Sequence, residues 1–198
     1  MVTSKVTQTS VWDYRRRILV ALNIDLKSEF EFTSKIISRN IKNFQLWHHR
    51  QVICTMAKDG SREIGFTNLI LAKDEKNYHA WQHRQWAIKE FDLFDGELET
   101  TAELLKSDVY NNSAWNHRYF VIKHTSGWTD VMIRREIDFA LDKITFAMDN
   151  ESSWSYLRAV IDDNLTKYSS GKRYDSVVNR IKYSLSCAIC NGNVEKEL

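Results

Sequence analysis

Trp47, Trp81 and Trp115 stand 34 residues apart, and each carries the same neighbours. An Asn lies four residues before each (Asn43, Asn77, Asn111), a His two after (His49, His83, His117) and an Arg three after (Arg50, Arg84, Arg118). Trp12 with Arg15 opens the series 35 residues upstream, and Asn150 with Trp154 extends it 39 residues downstream. A fixed period of this size marks a repeat array. One such unit cannot bury its apolar face alone, but stacked neighbours bury a continuous core.

Each repeat reads as two helices. Asn43 is suited to cap a helix running to about Ala57, because its side-chain oxygen can accept from the free N–H groups of the first turn. Lys58-Asp59-Gly60 is a turn signal, and Ser61 is placed to cap a second helix ending near Lys73. Asn77, and then Asn111 or Asn112, repeat the device. Seven residues after each repeat Trp sits Leu19, Cys54, Ile88, Ile122 or Ile161, two turns on and so on the same face. Ten residues before the later four Trp sit Ile37, Leu71, Leu105 and Ile144, on the preceding helix. The spacing therefore predicts an all-α fold, a right-handed α-α superhelix of stacked hairpins. At ~10 Å per layer, five layers make a crescent roughly 50 Å across. The repeats occupy 1–164. Residues 165–198 form a divergent segment, helical in spacing at Val177, Ile181 and Leu185, with a terminus from Asn191 expected to fray.

Composition agrees and excludes several classes. Proline is absent, where average usage would give roughly 10. That suits a chain of helices whose turns are made by Asn, Asp and Gly. The net charge of +2, from 28 basic and 26 acidic residues, gives no global field for nucleic acid or membrane. No apolar run is long enough to span a bilayer and no signal-like segment follows Met1, so the expected location is cytoplasmic.

The recurrence of Trp, Arg and His points to structure before chemistry. Trp fills the layer between helices, and Arg at +3 is placed to satisfy loop carbonyls. His79 and His83 have the i, i+4 spacing of a metal pair but no third ligand at a recognisable distance, so no metal site is assigned to this chain. Cys187-x-x-Cys190 is a single pair with no partner pair. Glu195-Lys196-Glu197-Leu198 is not an ER-retention signal. Glu97, Glu99 and Glu103 have the look of a solvated helix face.

Three segments go further: Lys42-Asn43-Phe44-Gln45-Leu46-Trp47-His48-His49-Arg50, Lys76-Asn77-Tyr78-His79-Ala80-Trp81-Gln82-His83-Arg84-Gln85-Trp86, and Asn111 to Ile122 around Trp115. The repeated Asn-x-x-x-Trp-x-x-Arg unit resembles the prenyltransferase α-subunit repeat, in the form shared by protein farnesyltransferase and geranylgeranyltransferase type I. The resemblance runs from about Thr9 to Val160. It implies a helical subunit that embraces a larger β subunit, which holds a catalytic zinc and most of the isoprenoid pocket. The pair would transfer farnesyl or geranylgeranyl from its diphosphate, which carries Mg2+, to the Cys of a C-terminal CaaX motif. Carried over by motif, Lys42 meets the diphosphate, Gln45 binds the carboxylate of the protein substrate, and Asn77, Tyr78 and His79 lie along the diphosphate path.

That chemistry suits these residue types. A leaving diphosphate gains charge in the transition state, so a Lys and neutral donors placed there stabilise it differentially. Two departures stand out. Phe44 occupies the place of a usual Tyr and removes one phenolic donor, and Thr9 occupies the place of an aromatic that lines the peptide site. Two other readings share the repeat frame: a non-catalytic α-solenoid scaffold, and the Rab geranylgeranyltransferase α subunit. A scaffold needs the Trp and Arg frame but not Lys42, Gln45, Tyr78 and His79. The Rab-type subunit carries a different string around Trp81.

Overall fold

The structure, a computed structural model, describes residues 8–162, with side chains from residue 11. The described residues form nine helices and no strand: α1 Gln8–Ala21, α2 Leu26–Ile37, α3 Phe44–Ala57, α4 Glu63–Leu71, α5 Tyr78–Glu90, α6 Glu97–Ser107, α7 Asn112–His124, α8 Asp130–Phe146 and α9 Glu151–Asp162. The all-α expectation holds. The segment 165–198, including Val177, Ile181, Leu185 and the Cys187/Cys190 pair, lies outside the described residues. Two compact units divide the chain between Phe94 and Asp95.

In the first unit α2 pairs with α3 and α4 with α5, while the Trp-bearing helices α1, α3 and α5 pack in series. The repeat hairpin is therefore a Trp-free helix followed, across an Asn turn, by a Trp-bearing one. Asn43 caps α3 by accepting from Gln45 N at 3.1 Å, and Asn77 caps α5 by accepting from Ala80 N at 3.0 Å. The indole of Trp47 donates to Ile41 O at 2.8 Å, and that of Trp81 to Glu75 O at 2.7 Å, so each Trp pins the turn six residues before it. The aliphatic positions named by spacing are buried, among them Leu19, Ile37, Cys54, Leu71 and Ile88. The turn at Lys58-Asp59-Gly60 is present, with Lys58 left-handed at φ 50°. A Cβ on Gly60 would come within 2.2 Å of Phe91 Cδ2, so only glycine lets this turn lie against the end of α5. Ser61 does not cap α4. Its N–H is taken by Asp59 Oδ1 at 2.9 Å, and α4 begins after Arg62 with no side-chain cap.

The second unit repeats the scheme, with α6 on α7, α8 on α9 and α7 beside α9. Asn111, not Asn112, is the cap of α7. Trp115 donates to Val109 O at 2.8 Å and Trp154 to Met148 O at 2.9 Å. Trp115 packs against Phe139 and Tyr156, and α8 supplies Ile133, Ile137, Ala140 and Ile144 to the core. The longer 39-residue step from Trp115 to Trp154 is taken up by α8, 17 residues against 9 in α4.

The repeat Arg does something other than tie loops. Arg50 grips Glu63 of α4 with Nε and Nη2 at 2.7 and 2.8 Å, and Arg118 grips Glu136 of α8 in the same fork. Its remaining nitrogen reaches helix groups: Arg50 Nη1 donates to Thr33 Oγ1 at 3.1 Å, and Arg84 Nη1 to Thr67 Oγ1 at 2.9 Å. The repeat His then closes on the same kind of carboxylate. His49 meets Glu29 at 2.8 Å, His83 meets Glu63 at 2.6 Å and His117 meets Glu97 at 2.6 Å. In the last repeat Tyr156 takes the His position and donates to Glu136 at 2.6 Å. Glu97 is therefore no solvated residue. It is 1% exposed, whereas Glu99 and Glu103 of the same helix do face solvent.

A buried carboxylate is tolerated only where charge and hydrogen bonds replace its water. Burial alone would raise the Glu63 pKa, but His83 and Arg50 together pull it below the usual carboxylate range. Glu29 behaves likewise, held at about 2 by His49 and Arg15 against its burial. Burial lowers the pKa of His83, which stays neutral and donates its Nε2 proton to Glu63. Breaking one such pair leaves an uncompensated buried charge, at a cost of about 3–5 kcal/mol.

Candidate active site

The sequence-selected residues all sit at the N-terminal ends of α3 and α5, in the first unit. Two turns carry them, 40–44 and 74–78, and both close on one atom. Ile41 O accepts from the Trp47 indole at 2.8 Å and from Asn77 Nδ2 at a longer 3.5 Å. Lys42 follows that carbonyl and Tyr78 follows Asn77, so one shared acceptor joins the two candidate turns.

Around the first turn, Asn40, Ile41, Lys42, Asn43, Phe44 and Gln45 line an open hollow of about 450 Å³. Lys42 is exposed and forms no ion pair or hydrogen bond with the described residues. Lys76, one repeat on, lies 3.9 Å from Glu75. Phe44 and Tyr78 occupy the first helical position of α3 and α5 and are 64% and 70% exposed. Large aromatic rings left in solvent at two corresponding positions present a face for something else to cover. Tyr78 meets His79 edge-on, with ring centroids 5.6 Å apart. Gln45 is half-buried, and its backbone N–H is taken by Asn43.

The electrostatics favour an anion. The first turns of α3 and α5 hold no acidic residue, unlike those of α2, α4, α6, α8 and α9. The positive end of α3 lies beside Lys42, whereas Asp74 and Glu75 stand just before α5, next to Asn77 and Lys76.

Asn77 stands apart from the other candidates. It is 3% exposed, and its side chain is spent on the cap, on Ile41 O and on Asp74 Oδ2 at 3.2 Å. Its place in the structure is to cap α5 and to tie that cap to Ile41 of the first turn. Asn40 and Ile41, which also line the hollow, were not singled out by sequence. The available signal was positional: Asn40 is the 34-residue counterpart of Asp74, which receives the Asn77 side chain. Thr9 lies in α1, and its side chain is outside the described residues.

One buried cluster has the composition of a metal site. Single ligand atoms of Cys54, Glu63 and His83 lie within 4.8 Å of one another. Its chemistry does not fit a cation. Both Glu63 oxygens are engaged by Arg50, and burial, then the neighbouring Glu63 charge, push the Cys54 thiol far above its ordinary pKa. A thiol must lose its proton to become a ligand.

The sequence matches the protein prenyltransferase alpha subunit repeat over residues 26–57, 61–91, 94–125 and 133–163. Those bounds pair each Trp-free helix with the Trp-bearing helix that follows it. The chain is 51% identical over 185 residues to the protein farnesyltransferase/geranylgeranyltransferase type-1 subunit alpha of Schizosaccharomyces pombe. The match takes in 93% of this chain and 61% of that relative, so the chain spans about three fifths of its length. Among solved structures it resembles the Candida albicans protein geranylgeranyltransferase-I complexed with GGPP. The TM-score is 0.73 at 32% identity, over 80% of this chain and 56% of the other.

Proposed function

Because this chain belongs to the protein prenyltransferase alpha subunit family, we propose that it acts as the α subunit of a heterodimeric protein prenyltransferase of the farnesyl/geranylgeranyl type-1 class. The reaction is transfer of a farnesyl or geranylgeranyl group from its diphosphate to the Cys thiolate of a CaaX-terminated protein. The carbon–sulfur bond forms as the carbon–oxygen bond to diphosphate breaks, and the diphosphate leaves with both electrons of that bond. The β subunit supplies the zinc that lowers the pKa of the acceptor thiol, and Mg2+ accompanies the diphosphate. The compartment proposed is the cytoplasm. No described helix is long and apolar enough to cross a membrane.

The observation that carries this reading is the Lys42 turn, an unpaired ammonium over an open hollow, joined through Ile41 O to the turn bearing Tyr78 and His79. In the proposed assembly Lys42 stabilises the charge that grows on the leaving diphosphate. Tyr78 and His79 offer neutral donors to the same oxygens, and Asn77 fixes where those donors point. Phe44 contributes a ring and no hydroxyl, so the first turn acts through Lys42 alone. Gln45, one helical position further in, presents an amide to the carboxylate of the peptide. These donors stand ready in the free subunit, as electrostatic catalysis requires.

The Rab-type reading is not favoured, since both relatives are of the type-1 class. A scaffold role would leave the unpaired Lys42 and the two exposed aromatic rings without a purpose.

The test is reconstitution. The chain is co-expressed with a type-1 β subunit and with a farnesyltransferase β subunit, and prenyl transfer to a CaaX peptide is measured. Turnover with either β subunit, and none from the chain alone, is the expected result. Failure to assemble with both would overturn the proposal.

A further inference from the structure

The outward face of α4 breaks the repeat. The Trp-free helices α2, α6 and α8 carry an acidic residue at one outer position (Glu31, Glu99, Asp138) and a charged residue four places on (Lys35, Glu103, Asp142). The counterparts in α4 are Gly65 and Leu69. Gly65 is exposed, and Leu69 is 67% exposed. α4 stands between α2 and α6 in chain order, and Glu31, Lys35, Glu99 and Glu103 of those helices are exposed as well. These positions therefore face outward because of how the hairpin packs, not because a neighbouring helix is missing.

Neither residue serves α4 itself. Gly65 is not in the left-handed region, and a Cβ there would meet nothing within 4 Å, so no turn or close approach among the described residues requires glycine. Glycine is a poor helix former, and an acidic residue at this place in the first turn, as in α6, would suit the helix dipole better. Leu69 leaves an aliphatic side chain in water where the other repeats place a charge. One turn apart on the same face, the two make a gap and a knob. They complement each other across a two-fold axis. If a second copy crosses antiparallel, Leu69 of each copy enters the gap over Gly65 of the other, and the missing Cβ lets the two backbones come close. The same crossing through α6 would set Glu99 on Glu103, and through α8 Asp138 on Asp142. Through α2 it would strip water from Glu31 and Lys35. A net charge of +2 gives two copies little long-range repulsion.

We propose that the Gly65–Leu69 face of α4 is a self-association surface, through which two copies of this chain pair in an antiparallel α4–α4 contact. A helix of nine residues offers less area than the ~1,200–2,000 Å² of a stable interface, so the dimer is reversible and forms at high protein concentration. The face shares no residue with the two candidate turns, and the pairing does not depend on the reaction proposed above.

The test is sedimentation velocity of the full chain over a concentration series from micromolar to millimolar. A concentration-dependent dimer is expected. Leu69→Glu and Gly65→Lys should each weaken it by about tenfold or more, because each pushes an unpaired charge into the contact. Both positions are exposed, so thermal unfolding of either variant should occur no lower than that of the unchanged chain. The antiparallel register makes a further demand on an equimolar mixture of the two variants. On one side of the axis the new carboxylate meets the new ammonium, and on the other the unchanged Leu69 meets the unchanged Gly65. Mixing should therefore restore association that neither variant shows alone. A chain that stays monomeric through the series, a dimer that neither variant weakens, or a mixture that stays dissociated would each overturn the proposal.

Discussion

His83 shows how one side chain can be read wrongly from its spacing and rightly from its period. With His79 it has the spacing of a metal pair, yet it recurs with the repeat and lies neutral against Glu63. Its partner carboxylates were legible in principle. Glu29, Glu63 and Glu97 stand 34 residues apart, and Glu136 follows after 39, the same steps as the Trp series. A Glu early in an amphipathic helix is ordinarily a solvated residue, so only the period argues for burial. The neutral His has a consequence for pH. Its pKa is lowered by burial from 6.5, so the unfolded chain takes up a proton first as pH falls below 6.5, and stability declines from there. The Glu29 contribution is intact above 4.5 and is lost as pH falls toward about 2. Between 6.5 and 4.5 the histidine term should therefore dominate, with a slope of at most about 1.4 kcal/mol per pH unit. Thermal unfolding of His83→Gln over that window should show a flatter pH dependence than the unchanged chain. An equally steep slope would place the titrating group elsewhere. At the candidate site, Gln45→Ala in the assembled enzyme should raise the KM for the CaaX peptide and leave isoprenoid affinity unchanged. Equilibrium binding of a fluorescent prenyl diphosphate separates the two, and a loss of isoprenoid affinity would remove Gln45 from the carboxylate.

The Asn turn is the element that carries the candidate site on the repeat architecture. Its sequence signal was strong, because a good cap followed four residues later by Trp leaves little freedom in where the helix starts. What the spacing could not show is that Trp47 and Asn77 close on the same carbonyl, since that contact spans 36 residues and depends on how hairpins stack. The Ser61 cap failed for a local reason: Asp59 took the Ser61 N–H two residues early and turned the chain before Ser61 could act. Asn77→Ala removes the cap of α5 and the tie to Ile41. The cap alone is worth about 1 kcal/mol, with up to about 2 in favourable contexts. The expected result is a stability loss of that order by denaturant unfolding, together with faster amide exchange at Tyr78 and His79 while α7 is unchanged. Uniform exchange across both regions would show that Asn77 does not act locally.

At the scale of the molecule, the repeat period was sufficient to read an all-α array, and the string around Trp81 to read its family. Partner and reaction are less accessible, because in the proposed assembly they depend on a surface presented to another subunit. Lys42, which has no partner among the described residues, and the exposed Phe44 and Tyr78 are features that packing among the described residues does not explain. An interface of the obligate kind buries ~2,000 Å² or more, and it would stabilise this chain by mass action. The central claim is that the Lys42 turn acts on charge that appears only as diphosphate leaves. It is tested most directly by the single-turnover rate of prenyl transfer for Lys42→Ala in complex with a β subunit, measured beside the Kd for prenyl diphosphate. The account requires a rate loss of order 10²-fold with a much smaller change in Kd. A rate unchanged within about threefold, or a loss confined to Kd, would contradict it.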